Sequence, residues 1–205
     1  INNNNIFFMN PTMFLIFTQF FIPPNCAPTE CQHAVNLNID FSIHGLWPEY
    51  NNNSYPSYCN SSADFDVDKL EPIMDDLNKY WISYVGSNQN FWKHEYLTHA
   101  TCYPVINELD FFDETMKIYL FTNTTNFFRN NYKFNTSYNL TQLENSFNGK
   151  FHCGNGTYHQ INSPSEPSPE IVQYWQCYDL ALNRFKCPDW LDTGSCNEQV
   201  YFKSY

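Results

Sequence analysis

The alternation of apolar and polar positions predicts strands at both ends of the chain. Met13 to Phe21 is an almost uninterrupted aromatic and aliphatic run, typical of a buried central strand. A second strand is expected over Asn38 to Trp47, and Ile171 to Tyr178 with Ala181 to Cys187 indicates a hairpin of two strands. The Asn-rich residues 1–12 are expected to form a flexible or edge segment.

Helical spacing dominates the middle of the chain. Apolar residues recur at three- and four-residue steps from Phe65 to Tyr84, and the regular part of this helix is expected to begin near Pro72 and to end at Gly86. Further helices are expected over three stretches: residues 92–102, Leu109 to Phe128 and Thr141 to Phe147. The predicted fold class is α+β, with a central antiparallel β-sheet and several helices in one domain spanning residues 1–205.

Composition indicates a globular protein of the secretory pathway. Hydrophobic residues make up 42% of the chain and charged residues only 15%, which argues against disorder. Eight cysteines without a Cys-x-x-Cys pair favour a disulfide-stabilised domain over a zinc ribbon or a redox motif. Six glycosylation acceptors point the same way: Asn52, Asn60, Asn123, Asn135, Asn139 and Asn155. A secreted, extracellular protein or a vacuolar/lysosomal one is therefore expected.

The charge of the chain limits its partners. A net charge of −11 at pH 7 argues against a broad basic surface that would hold nucleic acid or an anionic membrane. A polyanionic substrate would have to be held locally, best at low pH, where the six histidines become charged. The apolar run near the start is too short and too interrupted to cross a bilayer, so no membrane partner is expected. A monomer is expected.

Chemically active residues concentrate in WKHEYLTHATC, residues 92–102. On a helix, His94 lies one turn from Thr98 and Glu95 one turn from His99, which gives a compact patch suited to proton transfer. A surface helix with incidental histidines and a half-buried helix with hydrogen-bonded imidazoles remain alternatives. No metal is expected, since His94 and His99 would lie about 140° apart around a helix, whereas H-E-x-x-H spaces its histidines by four.

A second motif is FSIHGLWPEY, residues 41–50. His44 precedes Gly45, where the backbone can turn and approach a ligand closely. Trp47 offers a flat face on which a base can stack. A core strand that ends in a proline turn, with His44 hydrogen-bonded to a carbonyl, is the alternative.

The two motifs in this order, I-H-G-L-W-P and then W-x-H-E-x-x-x-H-x-x-C, resemble the active-site segments of the ribonuclease T2 family of secreted acid endoribonucleases. A weaker resemblance extends from Phe14 to Cys196, and the cysteine spacing is similar to that of plant-type members. The resemblance implies cleavage of single-stranded RNA by transesterification to 2′,3′-cyclic phosphates, at acid to neutral pH and without metal or cofactor. DNA is not an expected substrate, because it lacks the 2′-OH nucleophile.

The resemblance also implies a role for each matching residue. His99 would be the general base for the ribose 2′-OH, and His44 the general acid for the leaving 5′ oxygen. His94 and Glu95 would hold and polarise the phosphate. One base would be flanked by Trp47, Glu49 and Tyr55, and the other would stack on Phe91. The implied disulfides are Cys26–Cys31, Cys59–Cys102, Cys153–Cys196 and Cys177–Cys187.

One position departs from the family pattern in a way that bears on activity. The family usually carries a lysine where this chain has Thr98, and that lysine is expected to stabilise charge in the transition state. Losing such a charge would cost about 2.7–4 kcal/mol, by analogy with the removal of an oxyanion donor. The sequence predicts an active but attenuated ribonuclease. The alternatives are a catalytically weakened secreted glycoprotein with a storage, defence or partner-binding role, and a metallohydrolase that EDTA would inhibit.

Overall fold

The computed structural model describes residues 13–23, 38–104, 107–154, 170–191, 194 and 196–204. The strands are β1 Met13–Phe21, β2 Phe41–Tyr50, β3 Ser137–Asn139, β4 Lys150–Gly154, β5 Glu170–Tyr178, β6 Arg184–Phe185 and β7 Gln199–Tyr201. The helices are α1 Met74–Tyr80, α2 Asn88–Thr98, α3 Glu108–Thr122, α4 Thr124–Asn131 and α5 Leu140–Phe147, with 3-10 turns at Val67–Ile73 and Ala100–Cys102. The α+β fold class is confirmed.

The seven strands of the described residues form one sheet around β1. Its order is β2-β1-β5-β7-β3, and β4 and β6 also pair with β5. Strand β1 lies where the apolar run predicted a central strand and is antiparallel to both neighbours. The sheet is not wholly antiparallel as expected, because β7 pairs with β5 in parallel at Glu170 and Tyr201.

A bulge in β2 decides where His44 lies. Thr18 pairs with Gly45 and Gln19 with Ile43, so His44 is an extra residue between two ladder positions. Residues directly opposite one another in antiparallel strands share a face. Gly45 therefore lies on the face of Thr18, Ile43 lies on the opposite face, and the extra residue places His44 beside Gly45.

The two faces of the sheet have different roles. One face carries the large core, in which β-strand residues pack against helices: Leu15, Phe17, Ile43, Leu46, Trp81, Trp92, Phe111 and Phe112. The other face, which we call the site face, carries Phe20, Trp47 and Trp175, as their pairing with Gln173, Ile16 and Thr18 requires. Strand β2 is the edge strand, so α2 can lie beside it and reach the site face.

The long helix expected from Leu109 to Phe128 is wrong, because the structure has two helices there. Asn123 separates α3 from α4 with φ 45° and ψ 48°, in the left-handed region that asparagine tolerates better than most residues. The helix expected after Phe65 is a 3-10 turn followed by α1, and Pro72 lies inside the turn. The predicted hairpin is present as β5 and β6.

The described residues contain three disulfides: Cys59–Cys102 and Cys153–Cys196, each with a sequence separation of 43 residues, and Cys177–Cys187, with a separation of 10. These are pairs that the family resemblance implies. The Cys26–Cys31 pairing, the acceptor Asn155 and residues 1–12 lie outside the described residues. Within the described part of the chain, no helix has the length and apolarity needed to span a membrane.

Candidate active site

Two buried tryptophans fix strand β2 against helix α2. The Nε1–H of Trp81 donates to the backbone oxygen of His44 at 2.9 Å. Trp92, on α2, donates its Nε1–H to the backbone oxygen of Trp81 at 2.8 Å. Both indoles are fully buried, so water does not compete for these hydrogen bonds. The backbone of His44 is therefore held at a fixed distance from the helix that carries the other candidate residues.

Helix α2 ends within the motif it carries. Its last residue is Thr98, and the N–H of His99 donates to the backbone oxygen of Glu95 at 3.1 Å before the chain tightens into the 3-10 turn. The ring centroids of His94 and His99 lie 6.3 Å apart. The expectation of one regular helix over residues 92–102 is wrong at its end, because α2 stops at Thr98 and residues 100–102 form a 3-10 turn.

This local geometry bears on metal binding. His94, Glu95 and His99 each offer one ligand atom, and these atoms lie within 4.8 Å of one another. The donor set of two imidazoles and one carboxylate is one that divalent transition metals accept. The spacing argument against a metal ion therefore does not hold in three dimensions. Both oxygens of Glu95 face other groups of the site.

Glu95 lies at the centre of the candidate site. Its side chain is only 1% exposed, its Oε2 accepts a hydrogen bond from Trp47 Nε1 at 2.7 Å, and its Oε1 lies 3.8 Å from His44 Nε2. Gly45 makes this contact possible, since a Cβ at that position would collide with Glu95 Oε2 and Trp47 Nε1. Because Gly45 has no side chain, strand β2 and helix α2 can approach each other closely at this position.

Aromatic rings hold two of the imidazoles in place. His44 stacks on Phe20 with ring centroids 4.0 Å apart and an interplanar angle of 16°. Trp47 stacks on His99 at 5.1 Å and 28°, and meets His44 edge-on at 4.7 Å. Trp47, from the first motif, therefore contacts His44 of its own motif as well as Glu95 and His99 of the second.

Burial disfavours positive charge on these imidazoles. The pKa of His44 is lowered to about 3, chiefly by burial and also by charge on His99, while the side chain of Gln173 acts against both effects. Burial also lowers the pKa of His99 to about 4, with a further contribution from His94. Both imidazoles are therefore neutral at pH 7 until an anion enters the site.

Burial has the opposite effect on two carboxyl groups. It raises the pKa of Glu95 to about 8, although the hydrogen bond from Trp47 acts against the shift. It raises the pKa of Glu49 to about 7. Burial thus disfavours positive charge on the histidines and negative charge on the carboxyl groups. A bound phosphate would therefore strongly change which of these groups carry a proton.

Two cavities flank the histidines. The first has a volume of about 520 Å³ and is lined by Ile16, Trp47, Glu49, Asn53, Tyr55, Thr98, His99, Trp175 and Leu191. The second has a volume of about 320 Å³ and is lined by Phe20, Ser83, Tyr84, Val85, Asn90, Phe91 and His94. The three residues expected at one base site, Trp47, Glu49 and Tyr55, thus lie together, and Phe91 lies in the other cavity.

Thr98 faces the first cavity. It is 7% exposed, and its Oγ1 lies 3.3 Å from Nδ1 of His94. None of the described residues that line either cavity is a lysine or arginine. Lys93 is exposed on α2, one residue from His94. The position expected to carry a cation carries a hydroxyl.

The sequence reasoning missed several aromatic residues of the site. Phe20 supports His44, and Trp175 forms a wall of the first cavity, 6.4 Å from Trp47 between ring centroids. Both lie on strands that the apolar runs predicted. Their place beside the histidines follows from the strand register and from the bulge in β2, which no single segment encodes.

Comparison with known proteins assigns the chain to a family. Residues 12–187 match the ribonuclease T2 family. Ribonuclease DdI of Dictyostelium discoideum is 31% identical over 204 residues, covering 93% of this chain and 84% of the relative. Ribonuclease 1 of Arabidopsis thaliana is 28% identical over 187 residues, covering 88% of this chain and 78% of the relative.

Solved structures share the fold. RNase NT in complex with 5′-AMP has a TM-score of 0.74 at 22% identity, covering 95% of this chain and 99% of that one. Human RNase T2 has a TM-score of 0.73 at 20% identity, covering 93% and 98%. With two ordered motifs converging in one site and the family match extending over most of its length, the chain belongs to the ribonuclease T2 family.

Proposed function

We propose that this protein is a metal-independent endoribonuclease that cleaves single-stranded RNA by transesterification to 2′,3′-cyclic phosphates. The observation that carries the proposal is the convergence of His44, from β2, with His94, Glu95 and His99, from the α2 segment, between two aromatic cavities. Membership in the ribonuclease T2 family supports it. The site thus offers one proton donor, one proton acceptor and, on either side of them, a cavity for a nucleobase.

His99 serves as the general base. Its lowered pKa of about 4 keeps the imidazole neutral, and so able to accept the proton of the ribose 2′-OH, over most of the mildly acidic range. The stack on Trp47 fixes the plane of the ring. Since His99 lines the first cavity, the nucleotide whose 2′-OH reacts has its base in that cavity.

His44 serves as the general acid and must carry a proton when the 5′ oxygen leaves. Burial and the neighbouring histidines keep it neutral, but an adjacent phosphate anion favours the charged imidazole and raises its pKa in the complex. Glu95 Oε1 lies 3.8 Å from His44 Nε2, which is longer than a hydrogen bond, so the two groups must approach each other before a proton can pass between them. His94, beside them, holds the phosphate.

The cavities bind unstacked bases. Trp47 forms one wall of the first cavity, Glu49 provides a polar group for the base edge, and Tyr55, which is 66% exposed, stacks on an incoming base. Phe91 provides a flat face in the second cavity. A single strand can open its bases into both sites, whereas a duplex cannot.

We also propose that the protein is a secreted or vacuolar/lysosomal glycoprotein that acts as a monomer and without a membrane partner. The disulfides support an oxidising compartment. Asn52, Asn60, Asn123 and Asn135 are exposed. Asn139 is half-buried, and its Oδ1 accepts from the Gln142 N–H at 3.1 Å, so its side chain is less exposed than those of the other four described acceptors.

The experiment that tests the function is an assay of the purified protein with UpU and polyuridylate at pH 4–7 in EDTA. The expected product is a uridine 2′,3′-cyclic phosphate, and deoxyuridylate should remain intact. His44→Ala and His99→Ala should abolish the product. If no cyclic phosphate forms at any pH, or if both variants keep the wild-type rate, the enzyme proposal is wrong. Activity that EDTA removes would favour a metallohydrolase.

Thr98 favours a second candidate function. With no lysine or arginine among the described residues lining the two cavities, charge on the transition state has less compensation than the family pattern provides. A catalytically weakened glycoprotein, active in storage, defence or partner binding, is that candidate. It predicts RNA binding with slow turnover, which the same assay measures.

A further inference from the structure

We propose that a cavity at the junction of helices α3 and α4 holds the first N-acetylglucosamine of a glycan attached to Asn123. The inference rests on the protein being a secretory glycoprotein, as proposed above, and not on the cleavage of RNA. It assigns a carbohydrate-binding surface to this chain, and it singles out one of the six acceptors as the one whose glycan stabilises the fold.

The acceptor lies at the break between the two helices. Asn123 follows the last residue of α3 and precedes the first residue of α4, and its φ of 45° lies in the left-handed region. Its N–H donates to the backbone oxygen of Tyr119 at 3.1 Å, and its own backbone oxygen accepts from the Phe127 N–H at 3.1 Å. Both helices therefore fix the backbone from which the exposed side chain starts.

The side-chain amide of Asn123 is available for a sugar. Within the described part of the chain this amide makes no hydrogen bond, so glycosylation breaks none. By contrast, Nδ2 of Asn135 donates to Ser204 Oγ at 2.8 Å, and Nδ2 of Asn139 donates to Glu198 Oε1 at 3.5 Å. A glycan takes the place of one hydrogen on Nδ2, so it competes with the contacts of those two acceptors but with none at Asn123.

The cavity beside Asn123, which we call the helix-junction cavity, has a volume of about 300 Å³, at the small end of the range for ligand sites. Among the described residues it shares no lining residue with the two cavities of the candidate active site. Its lining combines apolar walls with amide and ammonium groups, which suits the C–H face and the polar substituents of a sugar ring. Besides the acceptor, the lining includes Ile39, Lys79, Tyr80, Tyr119, Leu120 and Asn126.

Two tyrosines form the aromatic wall of this cavity. The ring centroids of Tyr80 and Tyr119 lie 5.1 Å apart with an interplanar angle of 45°. The Tyr119 hydroxyl donates to the backbone oxygen of Phe41 at 2.8 Å, which fixes that ring. Lys79, with its Nζ 4.7 Å from the centroid of Tyr80, adds a hydrogen-bond donor to the same wall. Tyr80 is half-buried, so part of its surface remains for the C–H groups of a sugar to pack against.

Leu120 gives the sugar apolar surface to cover. It lines the cavity and is 52% exposed, whereas the neighbouring Phe121 is 90% exposed and does not line it. A sugar on Asn123 is tethered three residues from Leu120, so its contact with this wall is intramolecular and weak interactions suffice. Since the cavity exists only in the folded state, a sugar that fills it stabilises that state.

The order of glycosylation and folding follows from Thr125, the third residue of the acceptor sequence. Its Oγ1 accepts hydrogen bonds from the backbone N–H groups of Asp40 and Phe41, each at 3.2 Å. The folded protein thus occupies the hydroxyl that the acceptor sequence requires, so the glycan is attached before this segment docks on β2. In that step Asn123 Nδ2 bonds to C1 of the first sugar of a lipid-diphosphate-linked oligosaccharide, loses one proton and releases the lipid diphosphate.

The test uses protein secreted by a eukaryotic host that attaches high-mannose glycans. Glycopeptide mapping should find Asn123 occupied. An endoglycosidase that leaves a single N-acetylglucosamine at each site should not change Tm, because that sugar remains in the cavity. An amidase that removes the whole glycan, and so converts each occupied asparagine to aspartate, should lower Tm by about 2–4 °C, the shift for one modest contact in a domain of this size.

Two substitutions assign this effect to one acceptor. Asn123→Asp gives the residue that the amidase leaves, tolerates the left-handed backbone, and should lower the Tm of the glycosylated protein by the same 2–4 °C or so. Asn60→Asp is the matched control: it removes an exposed acceptor outside the cavity, keeps the Oδ1 that accepts from the Ser62 N–H at 3.0 Å, and should leave Tm unchanged. Both variants and the wild type, made without glycan in a bacterial periplasm, give the effect of the new charge, which is subtracted.

Two adjacent residues locate the sugar. Leu120→Ser removes part of the cavity wall, whereas Phe121→Ser changes an exposed apolar residue outside the lining. The Tm difference between protein with one sugar per site and amidase-treated protein should be largely lost in Leu120→Ser and unchanged in Phe121→Ser.

Three results would overturn the proposal. The first is an unmodified Asn123 in protein whose other acceptors carry glycan. The second is a Tm that falls as far on trimming to one sugar as on complete removal. The third is a Tm difference that Phe121→Ser removes and Leu120→Ser does not, since the sugar would then lie outside the cavity. If no acceptor carries a glycan, the glycoprotein proposal fails together with this inference.

Discussion

The indole Nε1–H of Trp47 donates to Oε2 of Glu95 at 2.7 Å, and this contact joins the two sequence motifs into one site. It satisfies one oxygen of a carboxyl group that is 1% exposed and leaves the other oxygen facing His44. Because the same indole stacks on His99, one side chain positions three candidate groups.

His44→Ala and His99→Ala should each lower kcat by ~10²–10⁴-fold, the usual contribution of a positioned general acid or base. Each substitution removes only an imidazole and leaves the backbone hydrogen bonds of the residue in place, so far-UV circular dichroism should be unchanged. Lys93→Ala, one residue from His94 and exposed, is the control and should keep its activity. A loss of less than tenfold in both histidine variants would contradict the assignment.

Trp47→Phe should raise the pKa of Glu95 still further, because the hydrogen bond that acts against the effect of burial is lost. If His44 exchanges its proton with Glu95, the alkaline limb of the kcat profile should move to higher pH, and kcat should fall by about tenfold. Rates on UpU from pH 4 to 9 measure both effects. An unchanged alkaline limb would mean that the protonation of Glu95 does not control proton donation by His44.

The stability of the protein should show the raised pKa of Glu95 directly. A carboxyl group whose pKa rises from 4.5 to about 8 on folding binds its proton more tightly in the native state. Its contribution is therefore complete below pH 4.5 and is lost as the pH rises toward 8. The difference in Tm between the wild type and Glu95→Gln should fall steadily over that window. A constant difference would show that Glu95 titrates normally.

Two histidines change the stability of the protein with pH in the opposite direction, over a lower pH range. His44 and His99, with pKa values lowered to about 3 and about 4, reduce stability as the pH falls below 6.5. Between 4.5 and 6.5 they oppose Glu95 and Glu49, so these four groups together should give a plateau of stability there. Removing both histidines should turn the plateau into a rise in stability as the pH falls from 6.5 to 4.5, and should flatten the decline below pH 4.5, as thermal unfolding at pH 3.5–6.5 would reveal.

Thr98→Lys should raise kcat on UpU by about tenfold or more and change KM less, if the position controls charge in the transition state. The new ammonium would enter the first cavity beside His99. Thr98→Met, of similar length but uncharged, is the control for size. If kcat of Thr98→Lys is equal to or lower than that of the wild type, the local geometry of this site stabilises the transition state without a cation at position 98.

Two disulfides with the same sequence separation allow an effect on stability to be distinguished from an effect on activity. Cys59–Cys102 and Cys153–Cys196 each bridge a sequence separation of 43 residues. Replacing either pair by serines should cost about 4 kcal/mol in the chain-entropy view. Only the first pair lies next to His99, where the Tyr58 N–H also donates to the backbone oxygen of Thr98 at 2.9 Å. Its loss should lower kcat on UpU at temperatures where both variants remain folded, and equal kcat values would contradict this role.

Local patterns predicted much of this molecule. The apolar run at Met13 to Phe21 is β1, and the motif residues expected to be catalytic meet in one place. What escaped prediction depends on contacts between distant segments. The bulge at His44 exists because β1 pairs with β2 in a shifted register, and Trp175 reaches the cavity only through β5. The break at Asn123 is a left-handed residue inside an apolar pattern that continues on both sides.

The absent side chain of Gly45 couples the two motifs in a way that affects how the protein can change. Any other residue at this position would occupy the space of the Glu95 carboxyl group and the Trp47 indole nitrogen. A larger residue on the strand is therefore tolerable only if the helix gives up its carboxylate, which leaves His44 without its acidic neighbour. Strand and helix must vary together, and a library that randomises one motif alone will recover few active variants.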